Sequence, residues 1–461
     1  MAYNFIDCNR DQTYLMPPRL EEWLPSGDLA WLVLDAVGEM DLRAFYRKYR
    51  RDGKGQAAFD PSMMTSLLLY AYCLGVRSSR EIERLCERDI GFKVIAANRV
   101  PDHSTIARFR KDNGEILKGL FIEVLRLCAK AELVKVGIVA LDGSKIKANA
   151  ALEANRTYSH IQAEVEKMFV EADAKDIEED GRYGSDKRGD ELPEAFRDRT
   201  HRKARLRACK ERIDQEVAEA SAKQEAKIAT REAEEQESGR VKRGRKPHAP
   251  DPNPSSEAKA NMTDPDSRIM KTRRGYVQGY NGQAVVTEAQ IIIAAELTNQ
   301  ENDIQQLHPM LKQAQENITS VEELKKQKIT EALADAGYMS QQNLDTASPD
   351  GPELFIATKK DWKQRKALTE TPSPRGRIPN DLSKRDRMER KLLTQRGREL
   401  YKKRSQMVEP VFGQIKWIRG IERFLLRGLD ACAQEWQLIC TAHNLLKLWR
   451  SGKGIAAAQL A

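Results

Sequence analysis

The stretch Val136 to Ala148, VGIVALDGSKIKA, most restricts what this chain can fold into. Ile138, Val139, Ala140 and Leu141 form a short apolar run of the kind that makes a buried strand. The run ends on Asp142, followed by Gly143, Ser144 and a basic, strand-like tail. A lone carboxylate at the end of such a strand is costly to bury unless it is paired or binds a metal. By itself it reads most simply as an Asp capping a turn. Two later segments favour the metal. Ile329 to Tyr338, ITEALADAGY, sets Asp335 just past another short apolar run, and Tyr401 to Lys416, YKKRSQMVEPVFGQIK, reads as a helix with Glu409 in an apolar patch. Three carboxylates on strand, strand and helix can meet around divalent metal.

At 461 residues the chain has room for two or three domains. Its net charge of +9, from 78 Lys and Arg against 69 Asp and Glu, favours a polyanionic partner without specifying one. Seven scattered cysteines with no CxxC pair support neither a disulfide framework nor a zinc knuckle. Residues 1–19 lack a basic-then-apolar leader pattern, and no apolar run approaches the roughly 20 residues that span a bilayer. The expectation is a soluble cytoplasmic protein that meets no membrane. There is no GxxxxGK[ST] loop, so no nucleotide cofactor is expected, and the six histidines show no ligand spacing such as HExxH. His103 and His443 are expected to be satisfied polar residues, and Trp417 and Trp436 to pack in the core.

Six segments follow from patterning. Residues 1–20 form an arm, and 21–135 a helical domain. Residues 136–151 hold the first core strand, 152–262 a charged helical insertion, 263–450 the rest of an α/β core, and 451–461 a tail. In the helical domain, starts at Ser79 and at Pro101 to Thr105 give two short helices joined by a turn, the second carrying Arg108, Arg110 and Lys111. That pair fits a helix-turn-helix laid on DNA and equally an ordinary bundle with solvated arginines. In the insertion, acidic and basic residues alternate along Ala195 to Glu237, the mark of a long exposed helix or a loose hairpin broken at GRYGSDKRGD. Gly239 to Pro254 is basic and Pro-rich, a disordered or extended linker; its Arg240, Lys242, Arg243, Arg245, Lys246 and His248 fit a DNA contact and, slightly better, a solvated linker. Tyr276 to Thr287 carries the Asn281-Gly282 turn signal of a hairpin. One long helix is expected from Met388 through Ile418, interrupted near Pro410, and another from Cys432 to Trp449.

The triad and its surroundings resemble the DDE transposases of bacterial insertion sequences, in the subgroup with a Tyr-Arg-Glu-Lys signature and, within it, the eleven-eighty-two group. Asp142 in LDGSKIKA matches the first acid, Asp335 in ADAGY the second, and Tyr401, Arg404, Glu409 and Lys416 the signature, Glu409 being the third acid. TDPDSRIMK (Thr263 to Lys271) and Asn302-Asp303 are further landmarks. Four residues part Arg404 from Glu409, where the family usually has three. At about 100° per residue, Glu409, Lys416 and Lys402 then share a helix face and Arg404 falls off it. Lys402 becomes the alternative contact to backbone phosphate.

The resemblance implies a ribonuclease-H-like catalytic core with a mainly helical N-terminal domain and a long helical insertion between its first two strands. It implies cleavage at element ends and strand transfer into target DNA, with Mg²⁺, for which Mn²⁺ substitutes, as cofactor. Two ions about 4 Å apart stabilise attacking and leaving oxygens at once; Asp142 would bridge them, with Asp335 and Glu409 holding one each. Double-stranded DNA is the implied partner, with a homodimer on the paired ends. The competing readings are a nuclease on the same core without joining, a DNA-binding regulator, and a helical scaffold built on the charged insertion.

Overall fold

The computed structural model describes residues 19–49, 57–167, 197–241, 244, 246–251, 253–272, 275–379 and 381–453, with 197–203 in backbone alone. Nearly all of the N-terminal arm, the GRYGSDKRGD break, Arg243 and Arg245 lie outside the described residues.

Aspartates start the N-terminal helices. Asp28, Asp60, Asp89 and Asp102 each accept a backbone N–H in the first turn of Leu29–Gly38, Pro61–Cys73, Ile90–Ile95 and His103–Asp112. Helix Pro61–Cys73 is buried from Met64 to Cys73 without a break, the signature of a helix packed on all sides. The region differs from a simple helix-turn-helix. Helix Ser79–Arg88 starts after Ser78, not on a Ser79 cap, and the six-residue helix Ile90–Ile95 stands between it and His103–Asp112. The apolar run FKVI, with Phe92 stacked edge-on to Tyr70, supplies that extra element.

A six-stranded mixed sheet forms the core. Its strands are β1 (Ile138–Lys147), β4 (Arg268–Thr272), β5 (Gly275–Thr287), β6 (Ile292–Thr298), β7 (Glu331–Ala334) and β8 (Glu353–Ile356), while β2 (Asn155–Thr157) and β3 (Lys259–Asn261) pair separately. β5 runs antiparallel to β1 on one side and to β6 and β4 on the other; β1, β7 and β8 are parallel. β1 runs through the basic tail after Asp142 to Lys147, with β5 paired along it from Val139. One expectation changes here: Asn281-Gly282 makes no turn, and β5 is one strand of 13 residues, with Asn281 opposite both Lys145 and Thr298. Its glycines serve close packing, since a Cβ on Gly279 would sit 2.3 Å from the Ile146 carbonyl oxygen.

The helix Leu429–Arg450 ties this sheet to the N-terminal helices. Trp436 Nε1 donates to Gln283 O at 3.2 Å, and Asn444 brackets Ile292, accepting from its N–H at 2.9 Å and donating to its carbonyl at 2.8 Å. On its other side Cys73 and Cys128 thiols face the carbonyls of Ala442 and Asn444. One apolar core therefore runs from Leu29 to Leu448 through both regions. The TDPDSRIMK segment fixes the start of that helix, with Asp264 accepting from Gly428 N and Asp266 from Leu429 N. Trp436 is buried as expected, whereas Trp417 is exposed and is no core residue. The six described cysteines are all buried and unpaired.

The insertion has its own small core of Ile161, Val165, Leu206, Cys209, Ile213 and Ala260. Its main element is the 42-residue helix Arg197–Ser238. The linker runs back along this helix, where Ser221 Oγ donates to Asp251 O and Gln224 Nε2 to His248 O, each at 3.0 Å. Lys246 is exposed there. Among the described residues no helix is long and apolar enough to cross a membrane.

Arg77 donates to Glu435 at 2.6 Å, and the Glu435 carboxylate, fully buried, also accepts from Leu425 N and Leu426 N. Arg77→Met strands that charge inside. It should cost about 3 kcal/mol of stability, read by denaturant unfolding; a loss below about 1 kcal/mol would show the pair to be dispensable.

Candidate active site

The parallel pairing of β1 with β7 stops at Ala140 opposite Leu333. Asp142 lies just past that point on β1, and Asp335 immediately follows β7. Two neighbouring parallel strands thus deliver two carboxylates to one edge. Local backbone holds each: Gly143 N donates to Asp142 Oδ1 at 2.9 Å and Gly337 N to Asp335 Oδ1 at 2.8 Å. Tyr338 is buried behind them, its hydroxyl bonded to Gln283 of β5.

The third side comes from a broken helix. In place of one helix from Met388 to Ile418 there are Lys384–Leu393, Gln395–Met407, Glu409–Gly413 and a π-helical turn Gln414–Ile418. Thr394 starts the second by accepting Gly397 N, and Gly397 is required because a Cβ there would lie 2.1 Å from Lys391 O. Leu400, Tyr401, Arg404, Met407 and Val408, at helical spacing, form its buried face. That packing reverses the expectation for the arginine. Arg404 is 4% exposed and brings Nη2 to 3.1 Å from Asp142 Oδ2, while Lys402 points to solvent. The face toward the acids is the one carrying Arg404, so Lys402 is not its substitute. Tyr401 packs beside it, and Lys416 donates to the Lys145 carbonyl of β1 at 2.6 Å.

Glu409 is on the rim. Its carboxylate, 47% exposed, pairs with Arg365 Nη2 at 2.8 Å, and Arg365 also holds Asp361 at 2.9 Å. The structure brings Asp142, Asp335, Arg404, Tyr401 and Lys416 to one place and leaves Glu409 tied to the helix Asp361–Glu370. Among the described residues the one Asp/Glu/His/Cys group whose ligand atoms all lie within 4.8 Å of one another is Glu83, Asp102 and His103. There His103 Nδ1 bonds Glu83 at 2.8 Å beside the helix cap of Asp102, so it is the satisfied polar residue the sequence indicates. His443, bonded to Gln290 O, is another.

Burial dominates the electrostatics. It pushes the Asp142 carboxyl up to about 7 against the pull of Arg404, with Asp335 and Asp303 adding like charge. Asp335 is raised for the same reasons. Burial lowers the Lys416 ammonium to about 8, and Asp142 opposes that shift. Arg404, raised by the two aspartates once burial is offset, stays cationic. The ion pair stands at neutral pH with its carboxylate close to protonation.

Of the other sequence candidates, Arg108 and Lys111 are exposed on helix His103–Asp112. Arg110 is half-buried, and its guanidinium turns inward to Arg77 O at 2.8 Å, in the link between helices Pro61–Cys73 and Ser79–Arg88. Sequence patterning passed over Lys145, Arg365 and the β5 amides Asn281 and Gln283. Lys145 lies three residues after Asp142, but nothing in the sequence tells a buried lysine from a solvated one. An open groove next to Asp335, lined by Thr358, Lys359, Lys360, Trp362, Lys363 and Arg385, carries basic charge and an exposed indole to the site.

Residues 18–112 match a family model described as a transposase domain, and residues 243–445 match one described as a transposase DDE domain. No curated protein and no solved structure matches the chain.

The folded Asp142 carboxyl titrates near 7 and the unfolded one near 3.8, so between these values the folded state holds the extra proton. Stability from this group is therefore lost as pH rises through that window. Asp142→Asn should flatten the fall in Tm from about pH 4 to about pH 7. An unchanged slope would mean the carboxyl is ionised throughout.

Proposed function

The chain belongs to the transposases with a DDE domain, and on that footing we propose that Asp142, Asp335 and Glu409 are its acid triad. It is an enzyme of DNA cleavage and strand transfer, of a family that depends on divalent metal. The observation that carries the residue assignment is the convergence of Asp142 and Asp335 at the open edge of two parallel strands, with Arg404 against them. The strand order, antiparallel β6 and β5 beside parallel β1, β7 and β8, supports the ribonuclease-H-like reading.

The donors fit the metal. Carboxylate oxygens are the hard ligands that Mg²⁺ and Mn²⁺ prefer, and no thiol or imidazole stands among them. Two divalent ions bound there would supply charge for the attacking and leaving oxygens of an in-line displacement. Glu409 joins the other acids once its pair with Arg365 opens. Asp142, raised by burial, must shed its proton to serve, and a divalent cation held there would favour the ionised form. Arg404 and Lys416, both cationic at the site, orient DNA phosphate, and Tyr401 packs the arginine in place. The basic groove of Lys359, Lys360, Lys363 and Arg385 leads the strand in. Exposed Arg108 and Lys111 of the N-terminal helices, with the linker that carries Arg243, Arg245 and Lys246, add phosphate contacts to duplex DNA. Two ends must be held at once, so the working form is a homodimer on DNA, with the insertion as the surface for end or subunit contacts.

The test is cleavage and joining of labelled element-end DNA with Mg²⁺. Asp142→Asn and Glu409→Gln should abolish cleavage and leave DNA binding intact. Arg404→Ala should lose roughly 100-fold in rate, and Lys402→Ala little. Normal cleavage by Glu409→Gln would sink the triad. Nicks without joined products would mark a nuclease, and binding without cleavage by the wild type a regulator.

A further inference from the structure

A fourth carboxylate lies against the backbone that carries both aspartates. Asp303 precedes the 3-10 turn Ile304–Gln306 after β6. A Cβ at Gly143 would lie 2.4 Å from Asp303 Oδ1, and one at Gly337 would lie 3.1 Å from Oδ2. Asp303 therefore fills the space that side chains next to Asp142 and Asp335 would take. It is itself held firmly, Oδ1 accepting from Asn281 Nδ2 and Gln283 Nε2, each at 2.7 Å.

What Asp303 faces is Lys145. The ammonium comes to 3.6 Å from Oδ1, is buried, and makes no hydrogen bond. After Asp303, the negative groups acting on it are Asp142 and Asp335. Among the described residues, β1 pairs with β7 only as far as Ala140 and next meets a neighbour on that side at Lys147, bridged to Arg423, so Lys145 lies in the unpaired stretch between. An ammonium, with three donors on a flexible stem, competes with any cation for carboxylates within reach.

We propose that Asp303 is a positioning residue of the reaction centre: it neutralises Lys145 and keeps that ammonium off Asp142 and Asp335, leaving their carboxylates to divalent metal. The inference rests on the reading of those two aspartates as metal ligands. It differs from a packing role, because Asn at 303 would still accept from Asn281 and Gln283 through its carbonyl and would lose only the charge.

The test is Mn²⁺ binding by the full chain without DNA, followed by electron paramagnetic resonance, with Tm as the check on folding. Asp303→Asn should weaken Mn²⁺ binding by roughly tenfold or more. Adding Lys145→Met to it should restore binding toward the wild-type value, which a packing role would not allow. Lys145→Met alone, informative even if Asp303→Asn does not fold, should bind at least as tightly as wild type. Unchanged binding in Asp303→Asn, a double variant as weak as the single, or weakened binding in Lys145→Met would each overturn the role of Asp303. Equal binding by wild type and Asp142→Asn would instead remove the metal reading, and the inference with it.

Discussion

The helix Leu429–Arg450 is the contact on which everything else depends. It is buried without interruption from Glu435 to Leu446, with the sheet on one side and the N-terminal helices on the other. A helix enclosed this way must satisfy its polar side chains internally. Asn444 and Trp436 do so by bonding β6 and β5 backbone, and Glu435 by taking Arg77 and two loop amides. Those bonds fix the position of β5, and β5 in turn fixes β1 over its full length. The placement of Asp142 is thus set by packing more than 20 residues of C-terminal helix against a strand beside it.

A consequence is that the N-terminal helices and the six-stranded sheet share one core. Cys73, Cys128 and Arg419 all reach carbonyls of the same long helix or of helix Pro61–Cys73. A disturbance in either region is felt by the other through close-packed contact. The match of two separate family models to the two regions concerns sequence; the packing makes them one body.

The sequence disclosed the parts of the site that rest on local pattern. The strands that carry Asp142 and lead to Asp335 were visible as Val, Ile, Leu and Ala runs. What it could not disclose depends on neighbours far along the chain. Asn281-Gly282 has the chemistry of a tight turn, yet pairing with β1 and β6 on both sides keeps it extended. Helical-wheel geometry did separate Arg404 from Glu409; it could not say which face the sheet would cover. Leu400, Tyr401, Met407 and Val408 settle that, and they bury the arginine with them. Asp303 and Lys145 sit on opposite sides of the insertion in sequence, so their meeting has no local signal at all.

The insertion leaves and rejoins the core at nearly the same place. Asn155 pairs with Asn261, and Asn261 also bonds back to Ala151, so roughly a hundred residues depart and return through one narrow neck. With the neck closed, the cost of a longer or shorter excursion grows only as the logarithm of its length. Its apolar cluster is separate from the main core, and polar bonds such as Arg212 to Pro265 O join the two at the neck. The fold of the six-stranded sheet therefore sets only where that excursion begins and ends, and its length is left to whatever the excursion itself must reach.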